Sequence, residues 1–195
     1  MIAGIKGKTT LRAEALARRD TLTTTGRQRG SRAIAERAIA ILSSVRPAVI
    51  AAYMPIWSEV DPGLIVAWAH EQQIAVVLPA VVEGTNLAFR LYNPGDELEV
   101  HRFGTRAPAA GMPTADPELV ISPMIAFDRT GTRLGHGLGY YDRSIAALAA
   151  RGKHPCLLGV AFSVQEVPAI PAEAHDARMD WIVTERETIT LALPK

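Results

Sequence analysis

The chain has 195 residues, of which 48% are hydrophobic and 21% charged, an ordinary globular composition with enough length for one sizeable core. Its 21 Lys and Arg against 20 Asp and Glu leave a net charge of +1, which argues against a general electrostatic nucleic-acid binder. No apolar run approaches the ~18 residues of a membrane span, and a single cysteine excludes an internal disulfide.

Met1 to Lys8 carries charge without a long apolar core behind it, so no signal peptide is expected. Cys156 lies in an apolar run and reads as a buried, inert thiol, in keeping with a reducing cytoplasm. The spacing predicts a helix over 8–19, with Leu11, Ala15 and Leu16 on its apolar side and Arg12, Glu14, Arg18 and Arg19 towards solvent. Thr21 to Gly26 reads as a break. A second helix over 28–44 carries Ile34, Ala38, Ile41 and Val45, and Pro47 closes it.

The period then changes. Ala48 to Tyr53 is a short apolar run of the kind buried on both faces of a sheet. Asp61-Pro62 opens a helix, with Asp61 as N-cap and Leu64, Ile65 and Trp68 following. Residues 74–78 form the next strand, stopped by Pro79, and 87–92 another, ended by the turn Asn93 to Asp96. Residues 101–117, rich in Gly and Pro, read as a surface loop. Strands are expected at 119–121, 157–162 and 181–184, and a helix at 140–150 after a loop over 126–139.

Apolar strands alternating with helices predict an α/β domain with helices on both faces of its sheet. Ligands of such sheets sit beyond the carboxyl ends of the strands, which directs attention to 54–61, 79–86, 123–142 and 162–176.

The most informative of these holds Gly131-Thr132-Arg133-Leu134-Gly135-His136-Gly137-Leu138-Gly139-Tyr140-Tyr141-Asp142-Arg143. Glycines alternate at 135, 137 and 139, which lets the backbone turn left-handed and approach a ligand closely. The run opens into a helix, whose N-terminal N–H groups attract phosphate. It is neither a Walker loop, lacking Gly-Lys-Ser/Thr, nor a Rossmann fingerprint, having G-x-G-x-G spacing and no strand running into it. Taken alone, the glycines read equally as a flexible turn. Asp142, in the first helical turn, can hold Mg²⁺ against phosphate oxygens or simply complement the helix dipole.

This segment resembles the nucleotide and folate loop of the 5-formyltetrahydrofolate cyclo-ligase family. The likeness extends in order over nearly the whole chain. It takes in Lys8-Thr9-Thr10-Leu11-Arg12, Tyr53 to Asp61, Leu78-Pro79, Tyr92 to Asp96, Asp128, Ala161 to Gln165, Pro168, His175-Asp176 and Asp180 to Glu185. The resemblance implies a single domain of three layers, α/β/α, around a mostly parallel sheet. It implies ATP-dependent conversion of 5-formyltetrahydrofolate to 5,10-methenyltetrahydrofolate, ADP and phosphate by a cytoplasmic monomer with no nucleic-acid or membrane partner.

By the same resemblance, ATP meets Lys8, Thr9, Thr10, Leu11, Arg12 and the loop Arg133, Leu134, Gly135, His136, Gly137, Leu138, Gly139, Tyr140 and Tyr141. Folate meets Met54, Glu59 and residues His136 to Tyr140, and Mg²⁺ meets Asp142 and Asp176. Lys8, Arg12 and Arg133 supply the charge that phosphoryl transfer needs. Each residue also has a plainer reading: Lys8 and Arg12 as a solvated stripe continued by Arg18 and Arg19, Glu59 as an exposed acid, Met54 and Trp57 as core. His175-Asp176 is then a simple loop pair, and His70, His101 and His154 are surface residues. Two features depart from the family pattern. His136 and Leu138 stand where many members carry basic residues, or a tyrosine and glycine, and Arg106-Ala107-Pro108 stands near the place of an absent Glu-Pro. The alternative function is therefore a catalytically weak folate- or nucleotide-binding relative.

Overall fold

In the computed structural model, which describes residues 7–82, 87–101 and 104–191, the chain begins with helices α1 (Lys8–Asp20) and α2 (Thr24–Val45). Strand β1 (Val49–Ala51), helix α3 (Gly63–Glu71) and strands β2 (Ala75–Val81) and β3 (Leu87–Leu91) follow. Next come β4 (Leu98–Val100), β5 (Arg106–Pro108), β6 (Leu119–Pro123), β7 (Ala126–Phe127) and β8 (Arg133–Leu134). Helix α4 (Tyr140–Ala150), β9 (Cys156–Val160), β10 (Trp181–Val183) and β11 (Thr188–Thr190) complete the fold. Expectations for residues 1–6, for 83–86 within the 79–86 segment and for Arg102-Phe103 fall outside the described residues.

Seven strands form one sheet in the order β11-β10-β9-β6-β1-β2-β3. The five inner strands are parallel, and only β3 and β11 run antiparallel at the edges. The apolar runs are buried on both faces because alternate residues serve opposite layers. Ile50, Val76, Leu78, Leu119, Ile121, Leu158 and Val183 pack with Ile34, Ala38 and Leu42 of α2 and Ile65 and Ala69 of α3. Their neighbours Ala51, Val77, Val120, Leu157 and Ile182 pack with Leu148 of α4. The result is the three-layer α/β/α arrangement expected.

Helix α1 joins neither layer. Leu11 and Ala15 pack with Ile125, Ala126, Leu134, Val167 and Ile170, a separate small core beyond the sheet. Asp128 shapes this region: its buried carboxylate accepts N–H bonds from Thr130 (2.9 Å), Thr132 (3.3 Å) and Ile170 (2.9 Å), tying the β7–β8 turn to the chain after β9.

Several expectations change. Arg19, read as solvent-facing, is 1% exposed, because it lies on the Leu11–Ala15 stripe at i+4 and i+8. Helix α2 starts at Thr24 rather than 28: Thr23 caps it by accepting from Gly26 N at 3.0 Å, so the polar run read as a break is its first turn. Helix α3 starts at Gly63, whose N–H donates to Asp61 Oδ1 at 2.8 Å, and Leu64 on it is exposed. Strand β2 continues through Pro79 to Val81. Val77 O accepts from Ala52 N on the β1 side, so Pro79, two residues on, points its missing N–H past the end of β1, where no ladder bond is lost. The hairpins β4–β5 and β7–β8 and edge strand β11 were read as loop or not seen; their strands have only two or three residues each. His70 and His101 are half-buried rather than surface groups, and burial lowers the His70 pKa. Cys156 is half-buried.

Leu42 is fully buried between α2 and the sheet. Leu42→Ala is expected to lower unfolding free energy by about 2–5 kcal/mol, measured by urea denaturation.

Candidate functional site

Strands β1 and β6 are parallel neighbours, but the chain leaves them in opposite directions, towards β2 from one and towards β9 from the other. Such a divergence opens a crevice at the carboxyl ends. A cleft of about 700 Å³ lies there. Met54, Trp57 and Glu59 line it after β1, Ser122 and Pro123 from the end of β6, and Arg133 to Asp142 from β8 to α4. Lys8 and Arg12 of α1 and Glu173, His175 and Asp176 of a later loop line it too, as do Pro79 and Val81 of β2, Leu87 of β3 and Arg106 of β5.

Of the residues expected to bind ligand, all but three line this cleft. Leu11 is buried in the small core, and Thr9 and Thr10 are exposed outside the lining. Their part is to continue the helix that presents Lys8 and Arg12.

The glycine loop runs from the two-residue strand β8, so a strand does enter it, though not one of the main sheet. Gly137 (φ 89°) and Gly139 (φ 64°) are left-handed, and Gly135 is not. The left-handed backbone at Gly137 favours glycine there; a Cβ would meet the Arg12 guanidinium at 3.4 Å, an ordinary contact. Arg12 Nε donates to Gly135 O at 2.8 Å and fastens the loop to α1. Gly139 precedes α4 with no side chain capping the helix, so its first N–H groups face the cleft as an anion site.

Three ion pairs hold the charged wall. Lys8 Nζ lies 2.8 Å from Glu173 Oε1 and 2.9 Å from Asp176 Oδ2. Burial pulls the Lys8 pKa down, but these acids outweigh it and the net shift is upward. Burial pushes the Asp176 carboxyl up, but the Glu173 N–H (2.9 Å) and Lys8 outweigh that, and its pKa is lowered. Arg133 Nη2 donates to Asp142 Oδ1 at 2.8 Å and Nη1 to Ala177 O at 2.6 Å, while Ala177 N donates to the same carboxylate at 3.1 Å. Asp142 and Asp176 are thereby brought to one cleft from α4 and the 173–177 loop.

The loop after β1 is locked by reciprocal bonds: Glu59 N donates to Ile56 O and Ile56 N to Glu59 Oε2, both at 3.1 Å. Trp57 occupies this turn with φ 50° and 71% exposure. His136 Nε2 lies 3.5 Å from Glu59 Oε1, and its ring meets Trp57 edge-on at 5.6 Å, so His136 stands on the Glu59 side. Burial raises the phenol pKa of Tyr53 and Tyr141, with the Glu59 charge adding to both, so each is a neutral hydroxyl at neutral pH. Tyr53 donates to Val60 O at 2.6 Å.

Sequence reasoning missed Glu173, which no spacing connects to Lys8, and the burial of Arg19 beside Ser58. The unbroken stripe Leu11-Ala15-Arg19 was the available signal for Arg19.

Residues 5–185 match the 5-formyltetrahydrofolate cyclo-ligase family. The chain belongs to that family. Its relatives include the 5-formyltetrahydrofolate cyclo-ligases of Mycolicibacterium smegmatis (30% identical; 72% of this chain and 75% of that one) and Escherichia coli K12 (28%; 86% and 94%). Among solved structures, the 5,10-methenyltetrahydrofolate synthetase of Aquifex aeolicus superposes with a TM-score of 0.78 at 28% identity, covering 96% of this chain and 94% of that one. The synthetase of Mycoplasma pneumoniae, at 24% identity, shares the fold with a TM-score of 0.75 over 92% and 99% of the two chains. The solved relatives share this fold over nearly the whole chain.

The lowered Asp176 pKa contributes stability above the ordinary carboxylate value, lost as pH falls through the depressed one. The raised Lys8 pKa contributes below the ordinary ammonium value, lost as pH rises through the elevated one. In urea unfolding against pH, the stability gap between wild type and Lys8→Met is expected to be widest near neutrality. It should narrow below pH about 4 and above pH about 10.

Proposed function

We propose that this chain catalyses the ATP-dependent cyclisation of 5-formyltetrahydrofolate to 5,10-methenyltetrahydrofolate, with release of ADP and phosphate. The observation that carries the reading is a single cleft with a phosphate-suited wall and a locked acceptor loop facing one another. Lys8, Arg12 and the bare N-terminus of α4 form the first, and Met54 and Glu59 belong to the second. The family's enzymes use ATP as co-substrate.

The formyl oxygen is a poor leaving group. Its attack on the γ-phosphorus, with ADP departing, makes it a good one. N10 then attacks the activated carbon and loses its proton, and phosphate leaves. No protein nucleophile is required, so the protein's contribution is positioning and charge neutralisation. Arg12 and Lys8 come from one helix face and are suited to phosphate oxygens, Arg by its planar fork and Lys as a point charge. Binding exchanges the Lys8 partners Glu173 and Asp176 for phosphate. Arg133 sets the orientation of Asp142 besides lending charge. Glu59 offers a carboxylate to the donor-rich edge of the pterin, and Met54 an apolar wall.

The residues also fit Mg²⁺. Asp142 and Asp176 are joined through the Ala177 N–H bond and line the cleft together. Among the described residues no three His, Cys, Asp or Glu side chains are placed to hold a metal. Two carboxylates completed by substrate phosphates suit Mg²⁺, which keeps few protein ligands. Bound there, it would neutralise charge between the phosphates. The reading includes a cytoplasmic monomer without nucleic-acid or membrane partners. The net charge of +1 supports it, and no described helix is long and apolar enough to cross a membrane.

The test is absorbance of the methenyl product with purified protein and 5-formyltetrahydrofolate, with MgATP present or omitted. Product is expected only with MgATP; none from folded protein would favour the binding relative. Asp142→Asn keeps an acceptor for Ala177 N and Arg133, so it is expected to fold normally and lose nearly all turnover. Arg12→Ala is expected to raise the KM for ATP more than that for folate; an equal rise would point to a disturbed loop at Gly135.

A further inference from the structure

Leu11, Ala15 and Arg19 form the buried stripe of α1. The first two are apolar and complete a small core, as such a stripe should. The third is an arginine and the largest of the fully buried side chains among the described residues, 1% exposed. A local rule broken at a buried position, at the cost of desolvating a cation, points to function rather than packing.

The surroundings of Arg19 show which function. Its Nε donates to Ser58 Oγ at 2.9 Å, and that hydroxyl donates in turn to Asp20. Its Nη1 is buried with no acceptor among the described residues. Burial lowers the Arg19 pKa, and Glu59, ahead of Asp20, is the charge that most opposes this. Glu59 follows Ser58 directly, and its side chain is only 6% exposed, at the wall of the cleft. A nearly buried carboxylate thus faces the cleft with a fully buried cation nearby in the protein.

We propose that Arg19 is a positioning residue for the folate-binding loop, holding Ser58 so that the carboxylate of the next residue, Glu59, is presented to the pterin. The inference rests on the cyclo-ligase reading above. It makes α1 a spacer between two subsites: Lys8 and Arg12 on the phosphate side, and Arg19 eleven residues beyond Lys8, roughly 16 Å along the helix, on the folate side.

The experiment is a double-mutant cycle of Arg19→Gln and Glu59→Gln, with Arg19→Lys as the charge-keeping control, read as separate KM values for 5-formyltetrahydrofolate and ATP. Arg19→Gln is expected to raise the folate KM about tenfold, equivalent to about 1.4 kcal/mol. The ATP KM and kcat should stay within about twofold, and Arg19→Lys should recover most of the loss. In the Glu59→Gln background, Arg19→Gln should add less than about twofold, because the carboxylate that Arg19 positions through Ser58 is already gone. A full tenfold loss repeated in that background overturns the proposal. So does a parallel rise in both KM values, an unchanged folate KM, or failure of both Arg19 variants to fold, each making Arg19 structural only. A wild-type chain that forms no methenyl product and binds no folate instead removes the cyclo-ligase reading itself.

Discussion

The molecule depends on one constraint: β1 and β6 lie side by side and parallel, yet the chain departs from them in opposite directions. Both strands are buried on both faces, so their sides have no room for polar chemistry. Every functional group must come from a segment beyond a carboxyl end or from an element docked over the gap. The locked turn at Ile56 to Glu59 and the glycine loop are the first kind, and α1 is the second. Helix α1 takes that place because Leu11 and Ala15 pack on the β7–β8 hairpin and the chain after β9 instead of on the sheet. Asp128 and Gln165 hold those segments in turn; Gln165 Nε2 donates to Met124 O at 2.6 Å and to Ile125 O at 3.0 Å.

Charge in the cleft is held in pairs that cross between elements. Lys8 of α1 meets acids of the 173–176 loop, and Arg133 of β8 meets Asp142 of α4. Such pairing keeps part-buried ions charged, since each would otherwise be penalised by desolvation. It also leaves the site ready to exchange partners. On the proposed reading, a polyphosphate arriving with a divalent cation would offer an anion to Lys8 and a cation to Asp176, so neither would be stranded when their mutual contact breaks.

The inner sheet was legible because each strand is an apolar run, a signal strong even for β1, with three residues. The helix of α4 was legible to the residue, since glycine precedes it and periodicity carries it. The hairpins and β11 were not, because two or three residues hold no period and Pro and Gly within 101–117 argue for loop. The cleft's membership was largely readable from segments after strands, but its pairings were not. Lys8 and Glu173 are 165 positions apart, and only the fold joins them. Arg19 shows how local reasoning errs: the stripe was extended to Ala15 and then abandoned, because a charged residue was assumed to seek water. Alternating glycines look equivalent in the sequence, whereas only 137 and 139 are left-handed.

The two halves of the cleft meet at one contact. His136, from the glycine loop, reaches Glu59 at 3.5 Å and Trp57 at a ring distance of 5.6 Å, from the loop after β1. Trp57 sits there in a left-handed backbone conformation that a bulky residue adopts only under constraint, at a cost of about 1–3 kcal/mol. The reciprocal bonds of Ile56 and Glu59 supply that constraint, and they fix the carboxylate in the same turn that exposes the ring. A reaction that joins a phosphoryl donor to a formyl oxygen needs the two bound molecules adjacent, not merely both present. On the proposed reading, placing the meeting point on a locked turn on one side, and on a loop fastened to α1 through Arg12 on the other, would set that adjacency before either ligand binds.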